Sequence, residues 1–175
     1  MVSIDFFTVP TINMKVLFVL IVLEHERRRV LHFNVTEYPT GAWTAQQIVE
    51  AFADRDAAQY LIRDRDSRYS AEVRLRTKSL GIQEILTAPK SPWQNPYAER
   101  LIGSIRRECL NHYIILNSRH LKRTLAPYFR YYHQTRTHLS LDKQCPFPRE
   151  TFKVGTIVAI PKLGGLHHRY ERIAA

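Results

Sequence analysis

The first part of the chain carries three hydrophobic segments separated by short polar stretches. Residues 2–9 are mostly β-branched and aromatic, residues 16–23 are continuously apolar, and residues 29–35 alternate between apolar and polar side chains. Runs of this length and composition predict strands, and the continuous run is typical of a strand buried on both faces. Because the connections are short, we expect an antiparallel meander.

Helical and extended patterns alternate through the middle of the chain. An apolar stripe from Ala45 to Phe52 predicts a helix, with Thr44 and Gln47 forming its capping box. The elements predicted after it are a strand at residues 60–62, a helix at residues 71–80 that ends at Gly81, and a strand at residues 82–86.

The clearest helix start follows the fifth strand. Asn95 is a good N-cap, whose side-chain oxygen is expected to accept a backbone N–H, and Pro96 suits the first helical position. Glu99 then lies about one turn into this helix. Ser118 is a candidate N-cap of a further helix, in which we expect a kink or a break near Ala126 because Pro127 lacks a backbone donor.

The segments after residue 142 differ from the rest of the chain. Residues 156–160 are β-like and residues 163–166 form a glycine-rich turn, so we expect a terminal hairpin. The order of elements predicts an α/β fold, a mixed five-stranded sheet flanked by helices. We expect a core domain at residues 1–150 and a tail with this short β-hairpin at residues 151–175.

Composition and charge narrow the expected partners. The chain has 175 residues and a formal net charge of +10, which favours a polyanion, nucleic acid first. Its two cysteines, Cys109 and Cys145, lie far apart and suggest neither a zinc site nor a disulfide framework. The longest apolar run has about eight residues, far short of a membrane span, so we expect a soluble, unexported protein.

Three carboxylates occupy unusual positions in this pattern. Asp5 interrupts an apolar strand, Asp64 follows the fourth strand, and Glu99 lies in the first turns of a helix. Each has a simpler interpretation: a salt bridge from Asp5 to an arginine, a surface turn for Asp64, and favourable helix-dipole electrostatics for Glu99. A charge within a core strand is nevertheless costly unless it is paired or binds a metal.

If the three acids converge, the chemistry of their side chains indicates the ion. Carboxylates without histidine or cysteine favour a hard cation, Mg²⁺ or Mn²⁺. Two such ions can activate a water or hydroxyl and stabilise the leaving oxygen of a phosphodiester. Together with the basic charge, this is the chemistry of a nuclease or a strand transferase.

The local sequences around these acids resemble those of the DDE integrase and transposase catalytic cores, in particular the integrase-like transposases of bacterial insertion sequences. The resemblance covers about residues 1–150, and 34 residues (positions 65 to 98) separate Asp64 from Glu99, close to the family's spacing. The matching stretches are Ser3-Ile4-Asp5-Phe6, Arg63-Asp64-Arg65-Asp66-Ser67-Arg68-Tyr69, Ser91-Pro92-Trp93-Gln94-Asn95-Pro96-Tyr97-Ala98-Glu99-Arg100, and Tyr132-His133 with Arg136-Thr137-His138-Leu139-Ser140-Leu141.

This resemblance implies a ribonuclease-H-like fold and two divalent ions, Mg²⁺ or Mn²⁺. It implies that Asp5 bridges both ions and that Asp64 and Glu99 each complete one site; Asp66 is the rival to Asp64. The implied activity is nicking of DNA followed by attack of a 3′-hydroxyl on a target strand. The implied partners are the DNA ends of a mobile element, the target DNA and at least one further copy of the chain, in the bacterial cytoplasm at the nucleoid.

Several residues near the acids are candidates for contacts with nucleic acid. Gly103 could let DNA approach the helix while Arg106 contacts a phosphate, or it could serve helix packing beside a solvated arginine. Trp93 could stack on a base, although a loop tryptophan more often covers the edge of a core. The complete set of candidates is Lys90, Trp93, Arg100, Arg106 and Arg107.

Two alternatives to a transposase core stay open. One is a metal-dependent nuclease of the same fold, and the other is a DNA-binding remnant of a mobile element without activity. The chain begins just before Asp5, which leaves no room for an upstream helix-turn-helix or zinc-binding module. Recognition of element ends by this chain alone is therefore not expected. The paired His167 and His168 lack further ligands and are not expected to bind metal.

Overall fold

A computed structural model describes residues 1–173, which contain seven strands and four helices. The strands are β1 (Val2–Pro10), β2 (Val16–Glu24), β3 (Val30–Thr36), β4 (Tyr60–Arg63), β5 (Gln83–Leu86), β6 (Thr156–Lys162) and β7 (His167–Ile173). The helices are α1 (Gly41–Ala51), α2 (Ala71–Ser79), α3 (Pro96–Glu108) and α4 (Ser118–Gln134). This order is the one that the hydrophobic pattern predicts.

Five strands form a mixed sheet in the order β3-β2-β1-β4-β5. The first three strands pair antiparallel, as the meander requires, whereas β4 lies parallel to both β1 and β5. Strand β1 is therefore central, and most residues of β2 are buried. The fold is the predicted ribonuclease-H-like arrangement of a mixed five-stranded sheet.

The two faces of the sheet are covered by different helices. Alternate residues of β1 and β2, such as Ile4 and Leu20, pack in one apolar cluster with Ile48 of α1 and Val73 of α2. Because successive side chains of a strand point to opposite faces, Asp5 lies on the other face. Helix α3 contacts β1 and β2 and buries its apolar stripe, including Ile105.

The chain divides into two compact units, Met1–Arg123 and Thr124–Ala175. The first contains the five-stranded sheet and α1 to α3, and the second contains the predicted terminal hairpin of β6 and β7. Within the second unit, His167 stacks on Tyr131 with ring centroids 4.5 Å apart. A boundary at residue 150 stays a prediction.

The starts of helices α1 and α4 differ from the predicted capping. Helix α1 begins at Gly41, and Thr40 caps it by accepting the N–H of Trp43 at 3.2 Å, so a capping box at Thr44 is wrong. Helix α4 already includes Ser118, and Asn117 accepts the N–H of His120 at 2.8 Å.

Helix α4 also continues through Pro127 to Gln134, so the helix is not broken near this proline. A kink at this position stays a prediction. Among residues 1–173, no helix is long and apolar enough to cross a bilayer. By contrast, the predicted end of α2 is confirmed, because Gly81 adopts a φ of 71° just after the helix.

Candidate active site

The three predicted acids line one cleft. Asp5 comes from β1, Asp64 from the loop after β4, and Glu99 from the first turn of α3, and the cleft measures about 310 Å³. We call it the acid cleft; Asp66, Lys90 and Asn95 are among the other residues that line it. The fold thus brings together acids that are far apart in the chain.

Asp5 is the most perturbed of these groups. Burial raises its pKa from 3.8 to about 7, and the negative charges of Glu99, Asp64 and Asp66 act in the same direction. The N–H of Phe6 donates to Asp5 Oδ1 at 2.8 Å and offsets part of this effect. Within residues 1–173 Asp5 forms no salt bridge with an arginine, so the simpler interpretation of this residue is wrong.

Asp64 and Asp66 differ in how their carboxylates are engaged. Asp64 is exposed and accepts the N–H of Asp66 at 3.1 Å. Asp66 is half-buried, accepts the N–H of Arg68 at 2.8 Å and forms an ion pair with the Arg68 guanidinium. Because Arg68 already neutralises Asp66, Asp64 is the better candidate for a cation ligand.

Arg63, which the sequence pattern did not single out, fixes the backbone beside Asp64. Its buried guanidinium forms a bidentate pair with Glu84 of β5 at 2.9 and 3.1 Å and donates to the Asp64 carbonyl at 3.0 Å. Arg65 adds a bond of 3.1 Å to the Thr87 carbonyl. The sequence does not reveal these roles of Arg63 and Arg65, because they depend on the pairing between β4 and β5.

The loop before α3 is fastened to β1 beside Asp5. The Asn95 side-chain N–H donates to the Ile4 carbonyl at 3.5 Å, and Asn95 makes no side-chain capping bond, so the predicted side-chain cap is wrong. The Glu99 N–H still bonds to the Asn95 carbonyl at 3.2 Å. Asn95 therefore places the start of α3, and Glu99 with it, against the strand that carries Asp5.

Comparison with known proteins agrees with this architecture. Residues 80–146 match the family described as the integrase core domain. The chain is also 26% identical over 145 residues to an insertion element IS476 uncharacterized 39.2 kDa protein of Xanthomonas euvesicatoria, covering 82% of the chain. The chain spans 42% of the length of that relative.

Two solved structures show the same fold. The HTLV-2 integrase catalytic core domain in complex with magnesium superposes with a TM-score of 0.66, at 13% identity, covering 83% of this chain and 92% of that one. The catalytic domain of Mos1 mariner transposase gives a TM-score of 0.62 at 17% identity, covering 74% and 69% of the two chains. The chain has the fold of integrase and transposase catalytic cores.

The acid cleft has the donor chemistry that a hard cation requires. Burial raises the pKa of Asp5, and neighbouring negative charges, which a cation would neutralise, add to this effect. Within residues 1–173 the buried Asn95 Oδ1 has no hydrogen-bond partner. In the described part of the chain, however, no group of three or more His, Cys, Asp or Glu side chains forms an assembled metal-binding cluster. The residues present fit a divalent ion, with the carboxylates lining a shared cleft.

The predicted DNA-contacting residues lie on and beside α3. Lys90 lines the acid cleft, and Trp93 is 70% exposed, so it does not cover a core edge. Arg106 donates to the Thr8 carbonyl at 3.2 Å. Arg100 and Arg107 are exposed.

Gly103 does not serve tight packing between helices. A Cβ built on Gly103 would lie 3.0 Å from Arg107 Nη1, the flexible end of a side chain. The space above Gly103 is therefore covered by a movable cation, which leaves close approach of a ligand open as a role for this glycine.

A second group of residues that the sequence did not indicate supports the start of α3. His25 is buried at the end of β2 and meets Tyr97 edge to face, with centroids 4.7 Å apart. The Arg28 guanidinium carbon also lies over Tyr97, 3.7 Å from the centre of its ring. Burial lowers the pKa of His25 to about 4, so the histidine supports Tyr97 as a neutral ring.

Proposed function

We propose that this chain is the catalytic core of a DNA transposase or integrase, which hydrolyses a phosphodiester and then transfers a DNA strand. The observation that carries the proposal is the single cleft lined by Asp5, Asp64 and Glu99, three carboxylates from β1, the β4 loop and α3. The integrase-like fold supports it, and the net charge of +10 supports a nucleic-acid substrate.

In this proposal Asp5, Asp64 and Glu99 hold two Mg²⁺ or Mn²⁺ ions. When bound, such ions activate a water or a 3′-hydroxyl and stabilise the leaving oxygen of a phosphodiester. Asp5 would lose its proton on binding an ion. Its pKa is raised by burial and by like charges that are not neutralised, and the positive charge of the ion would favour the ionised carboxylate. Asn95 keeps Glu99 beside Asp5 throughout.

The basic residues around the cleft bind the substrate. Lys90 lines the cleft itself and supplies a positive charge for a phosphate. Arg100, Arg106 and Arg107 extend this charge along α3, and Trp93 offers an exposed ring for stacking. The partners are the ends of a mobile element and a target duplex. Two ends imply at least a dimer, acting at the nucleoid of a bacterial cytoplasm.

A DNA-joining assay with Mn²⁺ and a pre-processed DNA end tests this function. Joined products are expected, whereas cleavage without joining would favour a nuclease, and binding without either would indicate a remnant. Asp5→Asn and Glu99→Gln should each abolish joining and nicking while far-UV circular dichroism stays unchanged. Asp54→Asn, an exposed acid outside the cleft, is the matched control. Activity that survives both cleft substitutions would reject the assignment of the acids.

A further inference from the structure

A second pocket adjoins the acid cleft and is not explained by metal binding. It measures about 300 Å³ and is lined by Phe6, Phe18, Arg68, Ile102 and Arg106, with Glu99 at its boundary. We call it the aromatic pocket. Because Glu99 lines both spaces, a ligand that reaches from one to the other stays on a continuous surface.

The aromatic pocket exists because β4 is much shorter than β1. Within the described residues, β4 pairs with β1 only at Val2 and Ser3, whereas β1 continues to Pro10. The edge of β1 beyond Asp5 is therefore not covered by a strand. The loop after β4 brings Arg68 to one side of this edge, and α3 brings Arg106 to the other.

The aromatic pocket brings an arginine guanidinium close to two phenylalanine rings. The Arg68 guanidinium carbon lies 4.7 Å from the ring centre of Phe18 and 5.4 Å from that of Phe6. Its ion pair with Asp66 holds it in place. Aromatic rings and arginine planes are the surfaces on which unpaired bases stack, and Arg106 adds positive charge at the rim.

We propose that the aromatic pocket binds an unpaired nucleobase of the DNA strand whose phosphate lies in the acid cleft. This inference rests on the proposed function, since it requires a DNA substrate at the acids. It adds a specific requirement, which is that the DNA has an unstacked base next to the reacting phosphate. A duplex end or a single-stranded overhang satisfies this requirement, whereas an intact duplex interior must first open.

Fluorescence anisotropy with two DNA probes tests the pocket. One probe is a duplex with a thymidine overhang, and the other carries abasic sites at the overhang positions. The wild-type chain should bind the thymidine probe about tenfold more tightly, the usual order of magnitude for one stacked base. Phe18→Leu, which keeps apolar volume and removes the ring, should bind both probes equally, with the affinity of the wild type for the abasic probe.

Two further variants keep the test decisive. Arg68→Lys retains the charge without the guanidinium plane and should also lose the preference, which covers the case in which Phe18→Leu does not fold. Tyr38→Leu is the matched control, because Tyr38 is an exposed aromatic residue that lines neither space, and it should keep the tenfold preference. Two results would contradict base binding in the aromatic pocket. One is equal binding of both probes by the wild type, and the other is a preference that persists in folded Phe18→Leu and Arg68→Lys.

The joining assay separates this inference from the proposed function. A wild-type chain that prefers the thymidine probe but never nicks or joins DNA would overturn the catalytic function and leave the base pocket standing. A chain that joins DNA normally, with no preference for the thymidine probe, would overturn the pocket alone. Absence of any DNA binding would overturn both.

Discussion

Asp5 illustrates at the scale of one residue how a fold can prepare a carboxylate for a cation. It lies in the central strand, so burial disfavours its charge, and Glu99 and Asp64 add like charges nearby. The hydrogen bond from the N–H of Phe6 to Asp5 Oδ1 acts in the opposite direction and lowers this pKa. The sequence shows the anomaly, a charge in an apolar strand, but the magnitude of the pKa shift depends on neighbours that only folding brings close.

The raised pKa of Asp5 predicts a pH-dependent stability. Between pH 3.8 and about pH 7, the folded chain retains a proton on Asp5 that the unfolded chain has lost. The free energy of unfolding therefore falls as the pH rises through this window, by about 1.4 kcal/mol for each unit of pKa difference. Urea unfolding in EDTA at pH 5 and pH 8 measures the loss.

The comparison of variants isolates Asp5 in that experiment. Asp5→Asn should remove most of the fall in stability, so this variant should exceed the wild type in stability at pH 8. Asp54→Asn, with an exposed acid outside the cleft, should retain the wild-type slope. A slope that is identical in all three proteins would contradict the environment described for Asp5.

At the scale of elements, the hydrophobic pattern predicts the order of strands and helices because each element buries one face or one stripe. Helix caps are less predictable because tertiary partners compete for the same side chains. Gln47 accepts from His32 and Asn34 of β3 at 2.8 and 2.6 Å, so it is not available for a capping box. Asn95 similarly donates to the Ile4 carbonyl of β1 instead of capping α3.

Helix α3 also carries a prediction about DNA binding. If Arg106 contacts a phosphate, Arg106→Ala should weaken DNA binding and reduce the slope of log affinity against log salt by about 0.9, the loss of one phosphate contact to duplex DNA. Titrations at several salt concentrations measure this slope. Arg74→Ala, an exposed arginine of α2, should leave the slope unchanged, and an unchanged slope in Arg106→Ala would contradict the contact.

For the whole molecule, the acid cleft connects elements that are distant in the chain. Asp5, Asp64 and Glu99 belong to β1, the β4 loop and α3, all within the unit Met1–Arg123. Sequence could predict which acids come together in one cleft, because each has a distinctive local context. It could not predict Arg63, Arg68 or His25, whose partners lie on other elements or depend on loop geometry.

An ion that binds only the folded cleft should stabilise this unit by mass action. Adding Mg²⁺ or Mn²⁺ at about one hundred times its dissociation constant should stabilise the wild type by about 2.7 kcal/mol. Asp5→Asn and Glu99→Gln should lose this effect, whereas Asp54→Asn should keep it. Thermal unfolding with and without the ion provides the measurement, and equal stabilisation of all variants would place the ion elsewhere.

Because the Phe6 N–H donates a hydrogen bond to Asp5 Oδ1, this backbone amide should respond when a cation binds in the acid cleft. A cation that draws the carboxylate toward itself competes for the oxygen that holds this amide. The amide of Phe6 would then change its NMR chemical shift and exchange its hydrogen with solvent more quickly, while amides inside the β1–β2 ladder stay protected. One peptide group in the central strand thus reports occupancy of the cleft without DNA and without turnover.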